Sequence, residues 1–351
     1  MGGVARSRLL TGVAAVAVAL AGAVPQPAAS ADRAVRYAAV RAAGGQLPRL
    51  VPFGMLQVNL CNSGVAGCYA GGQSIPETAA LVRAYHPDVL TLNEVCRGDG
   101  DRGLVQAMRQ SWPGDRTFQA FAPAWDQRRQ APYLCQNGEQ YGVGIIGHIA
   151  QGRRAGVDLR GGRYPVQDAT SDEARAWLCV RVVGSYDACT THLAANAAAV
   201  AMAQCRYLMG TAIPRAWADM GGYSPTVVAG DLNVRHGGEP DVQDCVPAGW
   251  LRAGDGEVQH VMATSDSTVR STGRIAMRHT DHDAWLVVLS MPAADTRRRR
   301  RRALSARSSC GAARMARRLL ADPAVDALAQ QVRVPAVPRV LLDHVHQHVP
   351  Q

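Results

Sequence analysis

Strand-like apolar runs and a few helical segments succeed one another between residues 51 and 290. Two segments have helical spacing: PETAALVRAYH, where Pro76 opens the helix and Leu81, Val82 and Tyr85 share a face, and the Ala-rich residues 196–212. Many strands with few helices predict an α+β layered domain rather than a regular alternation of strand and helix. The predicted strands are MLQVNL, DVLTLNEV, QYGVGII, WLCVRVV, DACTTHL, TVVAGDL, VQHVMAT and WLVVL.

The two ends of the chain lack this pattern. Residues 1–31 are predicted to be a secretory signal peptide, because two arginines precede an apolar stretch and an A-x-A cleavage site follows at 29–31. An N-terminal membrane anchor is the alternative. Residues 32–50 are predicted to be a flexible lead-in. Residues 291–351 are predicted to be an Arg-rich disordered tail, with contact to phosphates or anionic surfaces as its alternative role.

Export would place the nine cysteines in an oxidising compartment, where they are expected to pair. Cys310, in the tail, is the odd one. One expected pair brackets a short loop, and another lies on two strand-like runs that a Gly-Ser turn joins. Spacing alone does not fix the connectivity, and no Cys-x-x-Cys occurs, which argues against a zinc site. The expected pairs are Cys61–Cys68, Cys179–Cys189, Cys96–Cys135 and Cys205–Cys245.

The net charge of +10 suggests a nucleic-acid partner at first sight. Residues 1–50 carry +5 of it and residues 291–351 carry +8, which leaves −3 for residues 51–290. The total charge therefore gives no information about the substrate of the middle domain. A slightly acidic domain fits a site that recruits a metal cation at least as well.

Polar side chains recur where the predicted strands end. In VVAGDLN, a carboxylate and an amide two positions apart are expected to share one face of a strand. Each such residue, taken alone, is more often a turn cap or a structural histidine. Their recurrence at successive strand ends is what favours a site. The residues are Asn59, Glu94, Glu139, His192, Asp231, Asn233, Asp281 and His282.

The set N…LNEV…GEQYG…TTHL…AGDLN…TDH, in this order, resembles the endonuclease/exonuclease/phosphatase superfamily. That family includes pancreatic-type deoxyribonucleases, abasic-site endonucleases, inositol-polyphosphate phosphatases and bacterial sphingomyelinases. The resemblance covers residues 51–290, which it identifies as the catalytic domain. It implies an α+β four-layer sandwich, with two mixed β-sheets packed face to face and helices on the outer faces.

The resemblance also implies a metal site. Asn59 and Glu94 would bind a divalent cation, with Asp281 nearby. Hard oxygen ligands suit Mg²⁺, or else Mn²⁺ or Ca²⁺. A cation and donor side chains are needed because the oxygens of a phosphodiester are already anionic and gain charge during in-line attack.

The catalytic roles carry over in the same way. Asp231 would orient the nucleophile or protonate the leaving oxygen, and Asn233 would hold a phosphate oxygen. His282 would be the general base toward water or a charge stabiliser. His192 would contact the phosphate, steadied by Glu139.

Two positions match the family less well. Arg175, in EARAW, is a loose match to a phosphate-binding arginine. Gln259 stands where many relatives have an aspartate that orients the base histidine, and a neutral amide cannot stabilise an imidazolium as a carboxylate does. If the alignment slips, Glu257 or Asp266 would serve His282 instead.

The leading hypothesis is a secreted, monomeric, metal-dependent phosphodiesterase with no stable membrane anchor after signal cleavage. Its most specific form is an endonuclease on DNA, with RNA as an alternative substrate. One alternative is a sphingomyelinase or phosphoinositide-type phosphohydrolase. It is weakened because Ala229 precedes the Gly-Asp pair, RHTDHDAW replaces the W-C-D-R segment, and three Phe leave little for an aromatic membrane hairpin. The other alternative is a non-catalytic binding module on the same fold.

Overall fold

The computed structural model describes residues 49–293. The predicted signal peptide, nearly all of the lead-in, the Arg-rich run of the tail and Cys310 lie outside the described residues. Strands in the described part run from Leu50 to Pro292. None of its helices has the length and apolar character needed to cross a membrane.

The first sheet has six strands in the order β14-β15-β1-β2-β6-β3. The β1–β2 pair is parallel and its other pairs are antiparallel, so the sheet is mixed. The strand bounds are β1 Leu50–Asn59, β2 Val89–Cys96, β3 Arg116–Pro123, β6 Tyr141–Ile149, β14 Thr268–Ile275 and β15 Ala284–Pro292.

The second sheet also has six strands, in the order β12-β13-β11-β10-β9-β7. It is mixed as well, with β10 and β11 parallel. A small third sheet has the order β5-β4-β8 and is paired separately from both. The remaining bounds are β4 Trp125–Asp126, β5 Ala131–Pro132, β7 Val157–Arg163, β8 Glu173–Ala174, β9 Ala176–Val182, β10 Tyr186–His192, β11 Thr226–Asp231, β12 Leu251–Gly254 and β13 Gln259–Ala263.

Among residues 49–293, four α-helices cover the outer faces of the two large sheets. The first two pack on the first sheet and the last two on the second. Short turns of another helical type adjoin them at 100–104 and 208–212, and a separate helical turn lies at 242–245. The α-helices are α1 Ser74–Tyr85, α2 Val105–Ser111, α3 Ala198–Tyr207 and α4 Ile213–Asp219.

Alternation along the strands produces the layers. In β1, Met55 enters the core between the sheets, whereas Leu56 and Val58 pack toward the helices outside. In β11, Ala229 faces the other sheet and Val228 faces the helices. The predicted four-layer α+β sandwich is confirmed.

Four disulfides staple the described residues, and all four expected pairs are confirmed. The Cys179–Cys189 bond joins the adjacent antiparallel strands β9 and β10, where the two cysteines are direct register partners. The bonds are Cys61–Cys68, Cys179–Cys189, Cys96–Cys135 and Cys205–Cys245.

Candidate active site at the carboxyl ends of four strands

Two pairs of parallel strands bring the polar strand ends to one edge of the sandwich. Asn59, at the end of β1, is the register partner of Asn93 in β2. His192, at the end of β10, is the partner of Asp231 in β11. The amide of Asn59 joins the two sheets directly, since its Nδ2 donates to Asp231 Oδ2 at 3.2 Å. The structure thus assembles the strand ends that the sequence picked out.

Asn93 is a site residue that the sequence did not single out. Its Oδ1 accepts the backbone N–H of Asp231 at 2.7 Å, and its Nδ2 donates to Thr191 O at 2.9 Å, so one amide ties β2 to two strands of the other sheet. Gln57 donates to the same Oδ1 and is itself held by Thr91. The sequence offers one signal for Asn93, which is a polar residue next to Glu94 inside the strand-like run DVLTLNEV.

Glu94 faces the site because β2 bulges there. The register with β6 shifts between Leu92 and Val95, and Glu94 adopts a left-handed backbone with φ of 52°. Regular alternation would send the side chains of Asn93 and Glu94 to opposite faces of the sheet. The bulge lets both serve this edge, and Glu94 Oε1 accepts a hydrogen bond from Asn59 Nδ2 at 3.0 Å.

Asp231 is the fully buried centre of the cluster. Its Oδ2 lies 3.4 Å from His282 Nε2, and its Oδ1 accepts the backbone N–H of Asn233 at 3.0 Å. Burial raises the pKa of this carboxyl, while His282 and the Asn59 amide oppose the rise. Asn233 lies past the end of β11 with φ of 51°, so a turn, and not strand alternation, places it beside Asp231. Its Nδ2 donates one hydrogen to Leu193 O at 2.9 Å.

His192 is held as a neutral imidazole. Arg175 Nη1 lies 2.6 Å from His192 Nδ1, which must therefore accept and leave the proton on Nε2. Burial, together with the nearby Arg175 and His282, holds the pKa of His192 well below its usual range. Its Nε2 lies 3.9 Å from Asp231 Oδ2.

Arg175 occupies a different position from that expected of a phosphate clamp. Its guanidinium is largely buried and pairs with Glu173 Oε1 at 2.9 Å while it contacts His192. Burial raises the pKa of the Glu173 carboxyl, and the Arg175 charge opposes this. The pair orients His192 from the protein side. Glu173 was not among the predicted residues, and no motif distinguishes it.

Glu139 does not form the predicted contact with His192. It pairs with Arg102 and accepts the backbone N–H of Gly98 at 3.0 Å. The Arg102 hydrogen bond lowers the pKa of its carboxyl. The ion pair with Arg102 therefore holds Glu139, and Arg175 is the charged residue that contacts His192 Nδ1 among the described residues.

His282 lies beside two carboxylates, and Gln259 contacts the backbone next to it. His282 Nε2 faces Asp231 and lies 3.8 Å from Asp281 Oδ1. Gln259 is fully buried and donates its Nε2 hydrogen to Asp283 O, so it holds the chain next to His282 rather than the imidazole. Its Oε1 has no hydrogen-bond partner among residues 49–293.

The two alternative partners of His282 have other contacts. Glu257 pairs with the exposed Arg235. Asp266 accepts a hydrogen bond from Thr264 Oγ1 at 2.6 Å. These contacts hold both carboxylates elsewhere, and Gln259 is the register partner of Asp231 on the adjacent strand.

The acidic side chains fit a divalent cation. Burial raises the pKa of Glu94, and the charges of Asp231 and Asp281 raise it further, against the Asn59 hydrogen bond and Arg175. A cation would relieve this repulsion, and carboxylate oxygens are the ligands that Mg²⁺ prefers. Glu94 and Asp281 therefore fit the predicted ligand set. Asn59 presents its Nδ2 to the carboxylates, and its Oδ1 accepts the N–H of Cys61 at 3.0 Å.

Comparison with known proteins gives matches in solved structures alone. No family model and no curated protein matches this chain. It is similar to the structure of an endonuclease/exonuclease/phosphatase from Beutenbergia cavernae, at 20% identity and a TM-score of 0.49, over 70% of this chain and 73% of that one.

Two further similar structures are D. rerio TDP2 with a single-strand DNA product and a mannosyl-6-phosphatase from Bacteroides thetaiotaomicron. Each is 14% identical and covers 68% of this chain, with 98% and 99% of the other chain and TM-scores of 0.46 and 0.47. At such low similarity these matches do not identify a substrate, and the function has to be argued from the site.

Proposed function

We propose that this chain is a secreted, divalent-metal-dependent phosphodiesterase that hydrolyses nucleic acid with an activated water. The observation that carries the proposal is the position of Asp231, a fully buried carboxyl whose Oδ2 lies within 4 Å of the Nε2 atoms of both His192 and His282. One proton acceptor between two imidazoles, beside a second acidic residue, is suited to hydrolysis of an anionic ester.

The cation would bind at Glu94 and Asp281. When bound, it supplies positive charge to the phosphate and to the developing charge of the leaving oxygen. The remaining chemistry belongs to side chains of this protein.

Hydrogen-bond donors define where the phosphate lies. Arg175 fixes the His192 proton on Nε2, so this imidazole donates at a set position without carrying charge. Asn233 uses one amide hydrogen on Leu193 O and keeps the other for an anionic oxygen. Donors fixed before substrate binds need no reorganisation during the reaction.

The geometry favours Asp231, rather than His282, as the proton acceptor. An ionised Asp231 facing His282 Nε2 at 3.4 Å requires the proton to be on that nitrogen, so His282 starts as a donor. Water then loses a proton to Asp231 as its oxygen bonds to phosphorus and the opposite P–O bond breaks. Solvent protonates the leaving oxygen. His282 Nε2–H stabilises the charge on the phosphate.

Nucleic acid is the substrate class that the motifs GEQYG and TTHL favour. Four disulfides in the described residues support an exported protein, because such bonds persist in oxidising compartments. A secreted enzyme of this kind would meet extracellular DNA or RNA.

The test is hydrolysis of plasmid DNA, RNA, sphingomyelin and bis(p-nitrophenyl) phosphate by the full chain, with Mg²⁺ and with EDTA. Glu94→Gln removes the main candidate ligand, and Asp219→Asn, an exposed acid on α4, is the matched control. We expect EDTA-sensitive nicking of plasmid that Glu94→Gln loses and Asp219→Asn keeps. Cleavage of sphingomyelin alone would assign the lipid branch, and no turnover on any substrate would favour a binding module.

A further inference from the structure

A disulfide bond lies against the main candidate metal ligand. Cys61 follows β1 and Cys68 precedes α1, so their bond closes the short loop 62–67 at the edge of the site. The two sulfurs and a carboxylate oxygen of Glu94 all lie within 4.8 Å of one another. A change at this bond therefore acts directly on the surroundings of the cation site.

The loop holds two residues of the site through its backbone N–H groups. The N–H of Cys61 donates to Asn59 Oδ1 at 3.0 Å, and the Nδ2 of the same amide donates to Glu94 and Asp231. The next N–H, that of Asn62, donates to Glu94 O at 3.0 Å. The start of the loop thus fixes both the amide that orients the Glu94 carboxylate and the bulged backbone that carries it.

Cys61 has a backbone conformation that must be held in place. Its φ is 43°, in the left-handed region, which glycine adopts readily and a residue with a Cβ does not. The residue is fully buried, and the bond to Cys68 ties its side chain to the far end of the loop. Opening the bond releases this tie, so Cys61 can relax to negative φ and turn its N–H away from Asn59.

This bond differs from the other disulfides in its exposure and in the length of chain that it closes. Of the eight bonded cysteines within residues 49–293, seven are at most 5% exposed, whereas Cys68 is partly exposed and follows a loop tip, 65–67, that faces solvent. The bond spans a sequence separation of 7, against 39 for Cys96–Cys135 and 40 for Cys205–Cys245, so its loss costs less stability. A thiol from solvent therefore opens this bond first, and the domain stays folded.

We propose that the Cys61–Cys68 disulfide is a redox switch for cation binding at Glu94. The inference rests on the proposed function and adds a mode of regulation to it. The thiolate of a dithiol attacks Cys68 Sγ, the S–S bond breaks, and its electron pair leaves on Cys61 Sγ, which takes a proton. The second thiol of the reductant attacks the mixed disulfide, and Cys68 Sγ leaves and is protonated. Two electrons and two protons pass to the protein, and the dithiol ends as a disulfide.

The state of the bond sets the affinity for the cation. With the bond closed, the Asn59 amide and the Glu94 backbone are held in the arrangement described above. With the bond open, this hold is lost. Loss of a group that orients a metal ligand lowers metal affinity about tenfold to a hundredfold. The enzyme therefore keeps its cation in an oxidising compartment and loses it in a reducing one.

The first measurement identifies the bond that opens and its effect on the cation. Free thiols of the full chain are blocked, a limiting dithiol is added, and the new thiols are alkylated and located by peptide mass spectrometry. Mg²⁺ binding is then measured by calorimetry without substrate. We expect Cys61 and Cys68 to be alkylated first, the circular dichroism of the folded domain to be kept, and the Kd for Mg²⁺ to rise at least about tenfold.

Three results of this measurement would overturn the inference. They are earlier opening of another disulfide, an unchanged Kd once Cys61 and Cys68 are reduced, and an oxidised protein that does not bind Mg²⁺.

Variants test whether the switch acts through the backbone of Cys61. Cys61→Ala with Cys68→Ala should bind Mg²⁺ as the reduced protein does and should not respond to the dithiol. Cys61→Gly with Cys68→Ala also lacks the bond, but glycine keeps the left-handed conformation without strain, so this variant should recover most of the affinity. Val65→Ser, on the exposed tip of the same loop, is the matched control and should bind as the wild type does. Equal affinities in the alanine and glycine variants would remove the Cys61 backbone as the mechanism, and the inference with it.

An activity measurement separates this inference from the proposed function. At subsaturating Mg²⁺, kcat/KM on bis(p-nitrophenyl) phosphate should fall about tenfold on reduction and recover when Mg²⁺ is raised. Equal activity of the oxidised and reduced proteins would contradict the switch. If no phosphodiester is cleaved in either state, the proposed function fails, and the alkylation map and the Mg²⁺ calorimetry still decide whether the bond controls the cation.

Discussion

Two histidine clusters near opposite ends of β2 are built on opposite electrostatic principles. At the amino end, His148 lies between two carboxylates, with Nδ1 2.6 Å from Asp115 Oδ2 and Nε2 3.1 Å from Asp88 Oδ1. Each carboxylate also accepts a backbone N–H, and Trp112 stacks on the imidazole at 4.0 Å. Both ring nitrogens of His148 therefore face carboxylate oxygens.

At the carboxyl end of β2, the ionic groups are poorly matched. His192 faces the guanidinium of Arg175, a cation, and its pKa is lowered by burial and by that charge. The carboxyls of Glu94 and Asp231 have raised pKa values because they are buried. Left-handed backbone at Glu94 and Asn233 raises the free energy of the folded state further, as does Gln259 Oε1, which has no hydrogen-bond partner among residues 49–293.

This difference indicates a structural role for the His148 cluster and a functional role for the site cluster. The His148 cluster is complete within the protein and stabilises the start of the sheet. In the site cluster, buried groups of like charge face each other, and a bound cation and phosphate would relieve this repulsion. Functional sites are where such departures from local consistency are expected. The two ends should therefore respond in opposite ways to matched substitutions.

The largest effect is expected from a matched Asp→Asn pair, one at each end. Asp231→Asn removes the proton acceptor and should lower kcat about a thousandfold on bis(p-nitrophenyl) phosphate. It removes a buried charge, which favours the folded state, and it turns an amide N–H toward the donor Asn59 Nδ2, which opposes it, so its melting temperature should change little. Asp115→Asn places an N–H group against His148 and should cost about 1–3 kcal/mol of unfolding free energy, with kcat within about twofold.

Kinetics and urea unfolding of the two variants, measured on one protein stock, check this. The comparison between the two clusters fails if Asp231→Asn unfolds the domain or if Asp115→Asn loses activity while it stays folded. Asp231→Asn with near-normal kcat would remove the proposed mechanism.

Much of the fold can be read from the sequence because its interior strands are apolar. In the two large sheets, β3, β7, β12 and β14 were not predicted, and the reason is physical. They are the outermost strands of the sheets, and most of their side chains are at least partly exposed, as in VDLRGGR and TVRSTGRI. The cysteine pairs could be anticipated where local structure sets them opposite, as in Cys179–Cys189.

The site was predictable where its residues lie at the ends of strands. Its supporting contacts were not, because they depend on groups far apart in the chain. Asn93 acts through backbone groups of the other sheet, Arg102 captures Glu139, and Arg175 replaces it beside His192. The bulge that turns Glu94 toward the site depends on how β2 pairs with β6. The hydrophobic periodicity of the sequence does not reveal this pairing.

A second expected effect concerns His260, another neutral histidine at the site end. Its Nε2 lies 2.9 Å from Val234 O and its Nδ1 3.3 Å from Arg252 Nη1, so it donates at one nitrogen and accepts at the other. Burial lowers its pKa to about 4, from 6.5 in the unfolded chain. Between these values the unfolded state binds the proton first, so stability falls as pH falls from 6.5 to 4.

The size of that loss is about 3 kcal/mol for a shift of this extent. Urea unfolding at pH 7 and at pH 4 should show it in the wild type, whereas His260→Gln should be less stable at pH 7 and lose less on acidification. An equal pH dependence in both proteins would show that the loss of stability does not come from His260.

The smallest effect tests whether Arg175 acts through His192. Arg175→Met should lower kcat about tenfold to a hundredfold, because the imidazole loses the partner that fixes its tautomer and position. It should also raise the pKa of His192, since a neighbouring cation no longer opposes its charge. The acidic limb of the kcat profile should then move to higher pH, because His192 would be protonated at pH values where it is neutral in the wild type.

Arg175→Lys keeps a cation near His192 and should restore the position of that limb, though not the full kcat, since lysine lacks the planar fork. Histidine NMR of the folded variants locates the tautomer directly. If Arg175→Met raises KM tenfold with an unmoved pH profile, Arg175 binds phosphate as first expected. The site would then hold one more cation for its substrate, and its contrast with the self-contained His148 cluster would be sharper.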